Sequence, residues 1–110
     1  MRDPHVGRAL TLIHQAPENR WTVNELASRV GQSRAAFARH FVSLVGEPPL
    51  SYVTRWRVNL AAKRLRTTTD SVETIAADVG YDSATAFGKA FRKHFGDAPG
   101  RYRQSGPSSG

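Results

Sequence analysis

The sequence contains no cysteine and a single methionine. Without cysteine there can be neither disulfide bonds nor a cysteine-ligated zinc site, so burial of apolar side chains must hold the fold together. No stretch approaches the roughly 20 apolar residues that cross a membrane, and the first five residues lack the apolar run of a signal peptide. These absences predict a soluble, cytoplasmic protein.

Acidic residues are few: 9 Asp and Glu stand against 16 Lys and Arg, which gives a net charge of +7 over 110 residues. Thirteen of the basic residues are Arg, whose planar guanidinium suits phosphate oxygens and guanine edges. A hydrophobic fraction of 39% is ordinary for a folded domain and too high for a disordered basic tail. We therefore expect one domain that binds an anionic polymer; the alternative is a solvated basic surface without a partner.

No pattern of catalytic or metal-binding residues is present. The four histidines are spread over three predicted helices, and most acidic residues occupy helix caps. The sequence contains neither a histidine pair beside a glutamate at metal-binding spacing nor a glycine-rich phosphate loop. We expect no enzyme activity, no metal and no cofactor.

Helical periodicity runs through the chain, without the alternation typical of strands, and this predicts an all-α domain. Asp3 and Pro4 predict the start of the first helix, which Pro17 would end. Thr22 and Glu25 have the spacing of a capping box for the second helix. The last residues, 105–110, are rich in Gly, Pro and Ser and are interpreted as an appended flexible tail.

Two longer helices should follow. Ser33 caps the third, with Phe37, Phe41 and Val45 as its buried face. The fourth runs from about 50 to 67, and its predicted inner face is Val53, Trp56, Leu60, Ala61 and Leu65. It also carries five basic residues and no acidic one, namely Arg55, Arg57, Lys63, Arg64 and Arg66. Trp21 and Trp56 are expected to anchor the core, and Asp70 with Glu73 to cap the fifth helix.

The chain contains an internal repeat, which matters more than any single motif. At an offset of 49, Leu26-Ala27 matches Ile75-Ala76 and Val30-Gly31 matches Val79-Gly80. At an offset of 50 the matched pairs are Phe37 with Phe87, Phe41 with Phe91, Gly46 with Gly96, Pro49 with Pro99, and Tyr52 with Tyr102. Each unit has the spacing of a helix-turn-helix, and the one-residue insertion predicts a longer turn in the second unit.

If the phenylalanines of the third and sixth helices face inward, the opposite faces are available to DNA. We predict contacts to base edges from Arg34, Ala35, Ala38, Arg39, Ser83, Thr85, Gly88 and Lys89. We predict contacts to phosphates from Ser33, Arg55, Lys63, Arg92 and Lys93. The alternative function is sequence-tolerant binding of DNA or RNA through the basic fourth helix.

These residues together resemble the DNA-binding domain of AraC/XylS-type bacterial transcription regulators, from about residue 5 to 103. The motif includes Leu26-Ala27, Ser33, Arg39, Ile75-Ala76, Gly80-Tyr81 and Tyr102-Arg103, with the phenylalanine, glycine and proline pairs above. The resemblance implies seven helices in two helix-turn-helix subdomains. It implies that Ala35, Arg39, Thr85 and Lys89 occupy base-contacting positions. The sequence departs from the family pattern at Ala35, where some relatives carry a large polar or aromatic side chain, and at Gly88, where a polar side chain is usual.

The expected organisation is a tandem domain over 1–104, with repeat one at about 18–48, a linker helix at about 50–67 and repeat two at about 70–104. A linker of about 18 residues would be ~27 Å long, near the ~34 Å between successive major grooves. One chain is therefore expected to contact two successive grooves. The resemblance also implies RNA polymerase as a partner of the full-length protein, and an effector-binding or oligomerisation domain preceding this one.

Overall fold

The structure, a computed structural model, describes residues 3–105. Within that range the chain forms seven α-helices and no strand, which confirms the predicted all-α class. They are α1 (Pro4–Gln15), α2 (Val23–Arg29), α3 (Arg34–Val45), α4 (Pro49–Thr67), α5 (Val72–Asp78), α6 (Ala84–Phe95) and α7 (Pro99–Ser105). Of the expected flexible tail, Ser105 ends α7, and residues 106–110 lie outside the described residues.

Side chains cap the first helices as their sequences predict. The Asp3 carboxylate accepts hydrogen bonds from two backbone N–H groups in the first turn of α1, at 2.8 and 3.2 Å. The Thr22 hydroxyl accepts from the backbone N–H of Glu25 at 3.0 Å. The Glu25 carboxylate accepts from the Arg29 guanidinium at 3.2 Å, one helical turn later. Of the expected capping box, the hydrogen bond to the Thr22 hydroxyl is therefore present, whereas the Glu25 carboxylate binds Arg29.

The cap of α5 differs from the prediction. Ser71, one residue after the expected Asp70, accepts from the backbone N–H of Thr74 at 3.1 Å. Asp70 instead binds the guanidinium of Arg64 at 2.6 Å. A charge-assisted bond to arginine is stronger than an exposed cap, so the carboxylate turns toward α4 and the neighbouring serine caps the helix.

Glycines with positive φ form both turns. Gly31 has φ of 74° and Gly80 has φ of 106°, a backbone region that favours glycine. Four residues, 30–33, separate α2 from α3, whereas five, 79–83, separate α5 from α6. The insertion inferred from the repeat therefore lies in the second turn, as expected.

The chain divides into two compact units, and the boundary falls inside α4 between Thr54 and Arg55. In the first unit α1 packs on α2 and α3. Phe37 and Phe41 of α3 are fully buried, with ring centroids 5.7 Å apart. Tyr52 sets the edge of its ring against Phe41 at 5.8 Å.

The second unit has an equivalent core. Phe87 and Phe91 of α6 are fully buried, with ring centroids 5.6 Å apart. Tyr102 of α7 packs edge-on against Phe91 at 5.2 Å. In both units two phenylalanines one turn apart thus anchor the second helix of the helix-turn-helix.

The second half of α4 contributes core residues to the second unit as α1 does to the first. Its buried residues Val58, Ala61 and Leu65 follow Val6, Ala9 and Ile13, also buried, at an offset of 52. The residues that bind the two tyrosine hydroxyls, His14 and Arg66, are related by the same offset of 52. His14 Nε2 lies 2.6 Å from the Tyr52 hydroxyl, and Arg66 donates to the Tyr102 hydroxyl at 2.8 Å.

This equivalence corrects the predicted inner face of α4. Val58 and Ala62 are fully buried, whereas Trp56 and Leu60 are only half-buried. A single helix contributes to two cores, so its buried residues do not follow one continuous stripe. Of the two tryptophans, Trp21 is the one that is buried, as expected.

We predict that Phe41→Ala and Phe91→Ala each lower the free energy of unfolding by ~3–5 kcal/mol, because each leaves a cavity in a closed core. Urea or thermal unfolding measures the change. Leu44→Ala on α3 is the control, since Leu44 is 48% exposed. Equal stability of Leu44→Ala and Phe41→Ala would contradict the assignment of the inner face.

Candidate nucleic-acid interface

The face of α3 opposite its buried phenylalanines presents one basic residue, Arg39, beside Ala35 and the exposed Val42. Arg34, Ala35 and Arg39 are exposed, and Ala38 is half-buried. Ser33 is the N-cap, and its hydroxyl oxygen accepts from a backbone N–H of the first turn at 3.2 Å. The structure thus brings the predicted contact residues of the first unit onto one helix and its cap.

The corresponding surface of α6 is more basic. Its exposed residues from the predicted set are Thr85, Lys89, Arg92 and Lys93, and Gly88 lies half-buried between them. Ser83 is the N-cap, with its hydroxyl oxygen accepting from the Ala86 N–H at 3.1 Å. Ser33 and Ser83 therefore hold equivalent positions, although we predicted a phosphate contact for one and a base contact for the other.

Charge is distributed unequally between the two helices. The last turn of α6 carries Arg92, Lys93 and His94, whereas residues 42–44 at the equivalent positions of α3 are uncharged. The second unit has ten Lys and Arg against five acidic residues, and the first has six against four. Most of the electrostatic attraction to a polyanion should therefore come from the second unit.

Arg64 of α4 serves the fold rather than the surface. Its guanidinium donates to Asp70 at 2.6 Å and to Asp78 at 2.8 Å. These hydrogen bonds raise the pKa of Arg64, and the one to Asp70 holds the pKa of that carboxyl below its usual value. The two ion pairs connect α4 with the start and the end of the α5 segment.

Two further arginines of α4 also have partners inside the second unit. Arg66 donates to the Tyr102 hydroxyl, and the Arg57 guanidinium lies 5.6 Å from the centre of the Tyr81 ring. Arg55 and Lys63, the two predicted phosphate contacts on this helix, are exposed. Arg57, Arg64 and Arg66 thus stabilise the unit itself.

Arg103, for which the sequence motif predicted no role of its own, binds the end of α4. Its guanidinium donates to the backbone carbonyl oxygens of Leu65 at 3.1 Å and Thr68 at 3.2 Å. Free carbonyls at a helix end favour such a cationic donor. The motif Tyr102-Arg103 after the repeated proline was the available signal.

Residues 3–105 contain no group of three histidine or acidic side chains placed to hold a metal ion. Over the same range no helix is both long enough and apolar enough to span a membrane.

Comparisons with known proteins define the class. A helix-turn-helix domain family matches residues 26–105. The chain is 44% identical over 104 residues to an AraC-like transcription regulator of Streptomyces antibioticus, covering 94% of this chain and 34% of that protein. It is 36% identical to the transcriptional activator AarP of Providencia stuartii, covering 91% of this chain and 74% of AarP.

A solved structure agrees with these relatives. The DNA-binding domain of AdpA, crystallised with a target DNA, superposes with a TM-score of 0.89 at 30% identity, covering 94% of this chain and 93% of that one. The chain belongs to the AraC-type family of helix-turn-helix DNA-binding domains found in transcription regulators. It spans about a third of the length of the first curated relatives that it matches.

The Arg64 ion pairs give a pH-dependent prediction. Asp70→Asn should lower the melting temperature at neutral pH, because it removes one carboxylate from the arginine. In the folded state the pKa of Asp70 is lowered from its ordinary value of 3.8. The stability that the Asp70 carboxylate contributes is therefore fully present above pH 3.8 and is lost as the pH falls through the pKa of the folded state. The difference between parent and variant should shrink accordingly in thermal melts.

The control is Glu18→Gln, which changes an exposed carboxylate in the α1–α2 loop. It should leave the melting temperature nearly unchanged across the same pH range. A difference in melting temperature between parent and Asp70→Asn that stays constant down to acidic pH would contradict the role of the ion pair.

Proposed function

We propose that this domain binds double-stranded DNA sequence-specifically, with α3 and α6 each lying in a major groove. One observation carries the proposal: both helices bury two phenylalanines and present a basic residue among small ones on the opposite face. Arg39 in α3 and Lys89 in α6 are these basic residues, at equivalent positions of the repeat. The AdpA domain, which has the same fold, was crystallised with its target DNA.

The residue types suit distinct roles in this complex. The Arg39 guanidinium can donate two hydrogen bonds to O6 and N7 of one guanine, whereas Lys89 offers a single ammonium donor. Arg34 and the Thr85 hydroxyl can add polar contacts, and Ala35 keeps the helix close to the bases. These side chains would supply the sequence preference.

Phosphate contacts would come from the periphery of the same surfaces. Ser33 at the N-cap of α3 has an O–H able to donate, and Arg92 and Lys93 extend from the last turn of α6. Arg55 and Lys63 would contribute from α4. Such contacts release condensed counterions, so affinity should depend steeply on salt while carrying little sequence information.

Sequence-tolerant binding through α4 is the weaker alternative. It requires a helix whose basic side chains are available to phosphates. Arg57, Arg64 and Arg66 are bound to groups of their own unit, which leaves α4 with fewer charges to offer. The comparisons with known proteins give no support to this alternative.

The cellular role follows from the same proposal. We place the domain in the cytoplasm of a bacterial cell, acting within a longer regulator that contains an additional effector-binding or oligomerisation domain. The first curated relatives that the chain matches are about three times its length. A partner for transcription control would be RNA polymerase, consistent with the activator AarP among the relatives.

The test begins with selection of preferred duplexes from a random library, followed by binding of two variants. Arg39→Ala should cost ~1–3 kcal/mol on the selected site and relax discrimination at one or two base pairs. Lys63→Ala should weaken selected and random duplexes alike and lower the salt slope by about one. Fluorescence anisotropy at two salt concentrations measures both effects.

The two variants serve as controls for each other, because both remove one exposed cation. If Arg39→Ala weakens every duplex to the same extent, α3 does not distinguish bases and the sequence-tolerant alternative replaces this proposal. An affinity that does not change with salt would contradict the predicted phosphate contacts.

A further inference from the structure

Gly88 occupies an unusual position for a glycine. It lies in the middle of α6, one turn after Thr85 and one turn before Arg92, on the face that we propose meets DNA. Next to proline, glycine is the residue least favourable to a helix interior, because it loses the most backbone freedom there. Its presence here therefore requires a structural or functional cause.

The described chain supplies no such reason. Gly31, Gly46, Gly80 and Gly96 have positive φ values, which favour glycine, but Gly88 does not. A β-carbon built on Gly88 would meet no atom within 4 Å, so no neighbouring helix requires its absence. Alanine at this position would fit the domain and should stabilise α6.

The adjacent side chains indicate which partner outside the domain could require the absence of a β-carbon at Gly88. Thr85, Lys89 and Arg92 surround Gly88 on α6 and are exposed, and the last turn of the helix is basic. A helix backbone without side chain can lie closer to the floor of a groove than one with a methyl group. In α3 the equivalent position is the half-buried Ala38, which does carry a β-carbon.

We propose that the α6 backbone at Gly88 is the point at which the second unit lies closest to the DNA, so that Gly88 determines affinity by the absence of a side chain. The inference rests on the proposed function and adds a steric determinant to it. Gly88 donates nothing to a base; it allows Thr85 and Lys89 to reach the base edges.

The experiment compares Gly88→Ala with a matched control, Gly100→Ala, in the parent domain. Gly100 lies in α7, is exposed, has no positive φ and would also meet no atom within 4 Å of an added β-carbon. Both variants are measured for melting temperature and for affinity to the selected duplex and to a random duplex.

Gly88→Ala should raise the melting temperature by ~4–8 °C, because alanine favours the helix. It should also lower affinity for the selected duplex by roughly tenfold or more, the scale of one lost base contact. Gly100→Ala should bind both duplexes as the parent does. A more stable variant that binds DNA less well excludes misfolding as the cause.

Two results would overturn the inference. Gly88→Ala could bind the selected duplex as tightly as the parent, in which case no close approach exists at this residue. It could instead melt at a lower temperature, and the glycine would then be required by the fold. A parent that binds selected and random duplexes equally would overturn the proposed function itself, and this inference with it.

Discussion

The contact on which both units depend is the burial of two phenylalanines one turn apart on the second helix of each helix-turn-helix. Phe37 and Phe41 fix the rotation of α3 about its axis, and Phe87 and Phe91 do the same for α6. Because residues on the opposite side of a helix must then face outward, packing of the core determines which side chains are available for recognition.

A second constraint is that one helix completes two cores. The first residues of α4 contribute Val53 to the first unit, and Val58 and Leu65 lie in the core of the second. Tyr52 and Tyr102 bind partners, His14 and Arg66, that are related by the same offset as the buried residues. Part of α4 is therefore the counterpart of α1 as well as a connection.

Much of the fold could be predicted because its signals are local. Caps such as Ser33, the positive φ of Gly31 and the one-residue insertion before α6 depend on residues close in sequence. The buried faces of α3 and α6 follow from regular spacing. The inner face of α4 was predicted less well, because the equivalence of Val58 with Val6 appears only when α1 is aligned with part of a longer helix.

The functional surface was less predictable for a physical reason. Whether an arginine meets phosphate or protein depends on carboxylates and rings brought near it by the fold. Arg64 binds Asp78, fourteen residues away, and Arg103 binds the carbonyl of Leu65, 38 residues away. Helical periodicity predicts that both arginines lie on the surface, but it does not reveal these partners. The basic side chains of α4 were therefore predicted to face a ligand, although several of them bind groups of their own unit.

The proposed DNA-binding surface consists of the outward faces of α3 and α6. Backbone amide chemical shifts, measured while the selected duplex is titrated into the isotope-labelled domain, test it most directly. We expect the largest changes on residues 33–39 and 83–92, with little change around Arg8 on the exposed side of α1. Changes confined to α4 around Lys63, with α3 and α6 unaffected, would contradict it.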